Sequence, residues 1–132
     1  MFDHYGKETQ IQVNYQAIGS GGGQSQIKAK TVDFGGSDAF VSDKKLASFP
    51  AKLLHVPAVL GAVTLTYNLP ESPELKFSSE VLANIFLGTI TKWNDPKISA
   101  LNEGIALPNL DITVVRRSDG SGTTAIFTDY LS

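Results

Sequence analysis

The spacing of apolar and polar positions changes several times along this chain, and each change marks an element. Phe2 to Glu8 carries an amphipathic pattern of helical period. Ile11 to Tyr15 then alternates apolar and polar residues, as a strand with one covered face does. Gly19-Ser20-Gly21-Gly22-Gly23 reads as a loop, and Gln24 to Thr31 as a helix with Ile27 and Ala29 turned inward. Val32 to Gly35 is a short strand, and Ser42 predicts an N-cap for a helix over Asp43 to Ser48. Leu53 to Tyr67 is a long apolar run rich in β-formers and broken by Pro57 and Gly61, which predicts two strands or one bent strand. Pro70 to Pro73 reads as a turn. Ser78 caps a helix through Phe86 that gathers Val81, Leu82, Ile85 and Phe86 on one face. Asp95 followed by Pro96 opens a helix through Leu101, proline being suited to the first helical position. Ile112 to Val115 is the last strand and Thr123 to Leu131 the last helix. Strands that alternate with helices in this way predict an α/β class with a mainly parallel sheet and flanking helices.

Composition narrows the partners. The chain has 132 residues, enough for one compact domain, and its 42% hydrophobic and 18% charged content is that of a globular protein. A net charge of −2 supplies no basic field for nucleic acid or an acidic membrane surface. Any anion must therefore be held by local dipoles and one or two arginines. With no cysteine there is neither a disulfide framework nor a thiolate metal site. No signal peptide or membrane-spanning run is visible. Met1 is followed at once by residues that read as the inside of a helix, so the chain is expected to be a fragment.

The densest chemistry lies in Arg116-Arg117-Ser118-Asp119-Gly120-Ser121-Gly122-Thr123-Thr124, between a β-branched run and a helix-period run. Helix N-termini offer unpaired N–H groups and partial positive charge, and glycines let backbone approach a ligand closely. The same design of strand, small polar loop and helix recurs at Gly19 to Gly23 and at Gly35 to Ala39. In open α/β sheets such loops gather at the carboxyl ends of the strands. Ser20, Asp38, Arg117, Ser121, Gly122 and Thr123 then converge on a pocket suited to a tetrahedral oxyanion. Asp38 repels a fully ionised anion but accepts a hydrogen bond from a protonated one, so it favours hydrogenphosphate over sulfate.

Other readings of the same residues are weaker. The glycine run lacks the lysine of a nucleotide-binding P-loop, and no dinucleotide fingerprint is present, which counts against a phosphate-handling enzyme. His4 and His55 have no ligand-spaced partner and read as surface or packing residues. Trp93 reads as a core anchor beside the helix at Phe86, and Lys44, Lys45 and Lys92 as solvated.

Four blocks, Tyr15–Gly23, Thr31–Ala39, Phe86–Asp95 and Val114–Thr123, resemble the phosphate-binding protein of high-affinity phosphate ABC transporters. The resemblance covers nearly the whole chain. It implies a periplasmic-binding-protein-like fold of two lobes that close on inorganic phosphate, an extracytoplasmic location, a membrane permease as partner, and no enzymatic activity. It also implies that Ser20, Asp38, Arg117, Ser121, Gly122 and Thr123 are phosphate ligands, and that Asp119 is the acid that orients the binding arginine. On the same footing residues 1–55 belong to the first lobe, 56–68 cross over, and 69–132 belong to the second. The family's first strand and its Thr-Phe-Pro loop have no counterpart before Phe2, and its chain runs on beyond Leu131. An incomplete two-lobe fold is expected to expose sheet edges and to associate with another copy or a complementary chain, or to have lost function altogether.

Overall fold

A computed structural model describes residues 2–71 and 73–132. Its helices in chain order are α1 (Phe2–Thr9), α2 (Gly19–Ala29), α3 (Asp43–Leu46), α4 (Ser79–Phe86), α5 (Pro96–Leu101) and α6 (Gly122–Leu131). Three of them begin at the cap their sequence announces. Ser78 Oγ accepts from the Val81 N–H at 3.2 Å, Asp95 Oδ1 from the Lys97 N–H at 2.9 Å, and Ser121 Oγ from the Thr124 N–H at 3.2 Å. Ser42 precedes α3 with extended backbone, but its side chain makes no capping bond. The turn expected over Pro70 to Pro73 includes Ser72, which lies outside the described residues.

α2 departs from the expectation of a loop at Gly19 to Gly23. Those five residues form the first turns of the helix. Glycine costs about 1 kcal/mol relative to alanine in a helix interior, so propensity alone argues against this. Long-range contacts override it: the Gly21 N–H donates to the Gly120 carbonyl at 2.7 Å, and a Cβ at Gly23 would stand 2.8 Å from the Gly36 carbonyl oxygen. The glycines are helical because other backbone presses against them.

The core lies in the second half of the chain. Val81, Ile85, Ile90 and Ile98 are buried together, with Phe77, Leu107 and Ile112 packed against them. Ile98 is fully buried, and a side chain of its size contributes about 1.5–3 kcal/mol by leaving water. Asn102, 4% exposed, ties α5 to the segment before α4. Its amide accepts from the Lys76 N–H at 2.7 Å and donates to the Lys76 and Ile98 carbonyls, each at 2.9 Å. α6 packs against both α4 and α2, with the Phe86 and Phe127 rings meeting edge-on at 4.7 Å. Trp93 is partly buried and packs on Tyr67, with ring centroids 5.9 Å apart. Lys92 is exposed, as expected, and pairs at the surface with Asp111 at 3.2 Å.

The expected parallel sheet is not seen among the described residues. Among the described residues the one β-pairing is an isolated antiparallel bridge between Lys92 and Asp111. The expected strands at Ile11 to Tyr15, Val32 to Gly35, Leu53 to Tyr67 and Ile112 to Val115 form no ladder. Alternation makes a segment able to pair; it does not supply the neighbour. Phe34 and Leu60 accordingly stand 91% and 99% exposed. The whole chain exposes 10523 Å², against about 6700 Å² for a compact monomer of its mass.

Candidate functional site

The N-termini of α2 and α6 meet, and the loop carrying Asp38 lies against both. α6 begins where Ser121 stops the extended chain and caps the helix, which leaves the Gly122 and Thr123 N–H groups without partners inside it. α2 begins at Gly19, whose φ of +73° suits glycine, and has no side-chain cap of its own. Each helix end carries a partial positive charge of about half a unit.

Hydrogen bonds lock these pieces together. Ser20, 8% exposed, accepts the Asp38 N–H on its Oγ at 3.1 Å. Thr123 Oγ1 donates to Asp38 Oδ2 at 2.8 Å. The Ser121 N–H donates to the Asp119 carbonyl at 2.8 Å and closes the turn before α6. Gly122 is buried against Ser20 and Asp38. A Cβ there would collide with Ser20 Oγ and stand 2.9 Å from the Asp38 Cβ.

The arginine is gripped from the side. Arg117 Nε donates to Asp119 Oδ1 at 2.7 Å, and an Arg117 terminal nitrogen pairs with Asp119 Oδ2. This two-point grip raises the Arg117 pKa and holds the Asp119 carboxyl below the usual carboxylate range, in each case chiefly through the hydrogen bonds between them. The pair borders Gly19, where a Cβ would come within 2.7 Å of Asp119 Oδ2 and 2.8 Å of the arginine.

All seven residues singled out from the sequence therefore fall in one neighbourhood. Ser20, Asp38, Gly122 and Thr123 form its centre, Ser121 starts α6, and Arg117 with Asp119 flanks Gly19. Gly21 and Gly120, both in the glycine loops marked from the sequence, touch backbone to backbone; their direct contact is what the sequence did not show. Among the described residues no cluster of His, Asp or Glu could hold a metal ion. Two grooves lie elsewhere. One of about 730 Å³ runs beneath α1, and one of about 570 Å³ is lined by Val63, Leu65, Phe77 and Phe127. Neither gathers helix N-termini or an arginine. The chemistry on offer at the glycine-lined junction is capture of a small oxyanion by hydroxyls, unpaired amides and a guanidinium, beside one carboxylate acceptor.

A profile of the PBP superfamily domain matches residues 1–132. The chain is 56% identical over 130 residues to the phosphate-binding protein PstS of Pasteurella multocida, covering 97% of this chain and 37% of that protein. It is 55% identical over 130 residues to the protein of the same name from Haemophilus influenzae, covering 97% of this chain and 38% of the relative. A more distant relative with that name, from Methanocaldococcus jannaschii, is 44% identical over 137 residues, covering 98% of this chain and 35% of its own. The chain thus spans little more than a third of the length of these curated relatives. No helix among the described residues is long and apolar enough to cross a membrane.

Proposed function

The chain belongs to the PBP superfamily, and from that premise we propose that it binds inorganic phosphate as the substrate-binding component of a phosphate ABC transporter. The observation that carries the reading is a carboxylate, Asp38, set at the meeting of two helix N-termini beside an arginine. Amides and hydroxyls of Ser20, Ser121, Gly122 and Thr123 donate to phosphate oxygens, and Arg117, oriented by Asp119, contacts two of them. Asp38 accepts the proton that hydrogenphosphate carries and sulfate lacks. The relatives' names support phosphate as the anion. The reading is capture and release rather than catalysis, in an extracytoplasmic location with a membrane permease as partner. Residues 1–55 and 69–132 contribute to two lobes, with 56–68 crossing between them, and the extended segments are strands of a sheet completed by pairing. Calorimetric titration with inorganic phosphate tests the reading; a chain that releases no binding heat with phosphate refutes it.

A second reading concerns assembly. The unpaired extended segments and the surface, about half again that of a compact monomer, favour pairing with a second copy or a complementary chain. Ser20 and Asp38 already meet Gly122 and Thr123 within one chain, so this pairing completes the sheet and leaves the junction in cis.

A further inference from the structure

We propose that Gln24, with its amide oriented by Lys45, is a positioning residue that aims the Asp38 carboxylate into the anion junction by holding Ser37. The inference rests on the phosphate reading above and adds to it the support of the selecting carboxylate.

Gln24 stands one helical turn after Ser20 on α2, so the two side chains leave the same face of the helix. They reach adjacent residues of the Asp38 loop. Ser20 Oγ accepts the Asp38 N–H at 3.1 Å, and Gln24 Nε2 donates to Ser37 Oγ at 3.0 Å. Ser37 Oγ in turn donates to the Ala39 carbonyl at 2.6 Å, which closes a small turn around Asp38. The backbones beneath these bonds touch. A Cβ at Gly23 would stand 2.8 Å from the Gly36 carbonyl oxygen, and one at Gly35 would stand 3.0 Å from the Gly23 carbonyl oxygen. The loop is therefore seated on α2, and Asp38 sits at its tip with Thr123 Oγ1 on its carboxylate at 2.8 Å.

Donor and acceptor counting fixes the direction of the relay. A hydroxyl carries one proton, and Ser37 gives it to Ala39, so a lone pair is what it offers Gln24. Gln24 must then present its NH₂ to Ser37 and its oxygen to the other side. Lys45, exposed on α3, enforces that orientation, because its ammonium only donates and lies 2.6 Å from Gln24 Oε1. Without the ammonium the amide is free to turn over, and its oxygen then competes with Ala39 for the Ser37 proton. Gln24 touches no bound anion in this account; it acts through Ser37 on the carboxylate next to it.

The test is calorimetric titration of the full chain with inorganic phosphate, comparing the parent with Gln24→Ala, Ser37→Ala and the double variant. Each single change should weaken phosphate about 3- to 10-fold. The double variant should bind within about 2-fold of the weaker single, because both changes remove the same tie. Lys45→Met should weaken binding in the same direction, and Lys45→Arg, which keeps a donor, should restore it to within about 2-fold of the parent. Melting temperatures should stay near that of the parent, since these groups lie at or near the surface. Parent affinity in Gln24→Ala, effects that multiply in the double variant, or affinity losses matched by a melting temperature lower by several degrees overturn the proposal. In phosphate-free solution, NMR should show the Asp38 amide hydrogen exchanging about 3-fold faster or more in Gln24→Ala and at the parent rate in Lys45→Arg. An unchanged rate in Gln24→Ala overturns the proposal as well. A parent that binds no phosphate refutes the phosphate reading, while the exchange rates still decide whether Gln24 holds the Asp38 loop.

Discussion

Thr123 Oγ1 donates to Asp38 Oδ2 at 2.8 Å, across 85 positions of sequence. The hydroxyl that opens α6 thereby satisfies the carboxylate between the two helix ends. A protonated anion entering the junction offers Asp38 the same kind of donor, and it offers the helix N-termini the negative charge they favour. A fully ionised anion offers only the second. The selectivity proposed for Asp38 rests on that difference.

Gly122 makes this meeting sterically feasible. Gly122→Ala places a methyl group against the Ser20 hydroxyl and the Asp38 Cβ. Overpacking of this kind costs about 1–3 kcal/mol. The expected outcome is a melting temperature lower by several degrees, together with loss of the Thr123–Asp38 hydrogen bond. Thermal denaturation followed by circular dichroism, and the Thr123 hydroxyl and amide signals in NMR, measure both.

The Arg117–Asp119 pair should control affinity through geometry. Arg117→Lys keeps the charge and loses the fork, and Asp119→Asn keeps the shape and loses the grip. Each is expected to weaken phosphate binding about 10-fold or more by calorimetry. The pH dependence has a definite sign. Asp119 is held below the usual carboxylate range, so the stabilisation from the pair is complete above the ordinary Asp range and is lost as pH falls through the lower folded value. An NMR titration of the Asp119 carboxyl should therefore show a midpoint below that of an unstructured peptide, and the shift should shrink in Arg117→Lys, which loses the fork and keeps the charge.

What could be read from the sequence was local. Ser78, Asp95 and Ser121 announce their helices because a cap acts within three residues. The convergence of Ser20, Asp38 and Thr123 was legible because small polar loops at strand ends recur three times. The glycine run at Gly19 to Gly23 was misread as a loop, since its helical state depends on Gly120 and Gly36, far along the chain. Trp93 pairs with Tyr67 and Phe86 with Phe127; ring partners are chosen by packing, which spacing does not encode. The alternation of Ile11 to Tyr15 and the apolar run of Leu53 to Tyr67 marked segments able to form strands, but a ladder depends on a neighbour that alternation cannot name. Asn102 went unmarked because the backbone it clamps lies 26 residues away.

Asn102→Ala tests that clamp. It leaves the Lys76 N–H and carbonyl without their partner in a partly buried setting and the Ile98 carbonyl without its side-chain donor in a buried one, at a cost of about 1 kcal/mol or more. Denaturant unfolding should show the loss. Anion affinity measured below the melting transition should stay near the parent value, because Asn102 lies in the core region and not at the glycine junction.

Association is the expected consequence of unpaired strands. Size-exclusion chromatography with light scattering across a concentration series should give a dimer or larger species, and dissociation on dilution should be accompanied by loss of ordered structure. A monodisperse, cooperatively melting monomer at high concentration would rule this out.

The most direct measurement is a pair of calorimetric titrations, phosphate and sulfate, on the parent chain and on Asp38→Asn. Removing the negative charge should weaken phosphate about 10-fold or more and narrow the preference over sulfate, because the amide no longer repels a fully ionised anion and no longer prizes its proton. A parent that binds phosphate and excludes sulfate, beside a variant that distinguishes them poorly, is the result the Asp38 account predicts. A variant that rejects sulfate as strongly as the parent would contradict it.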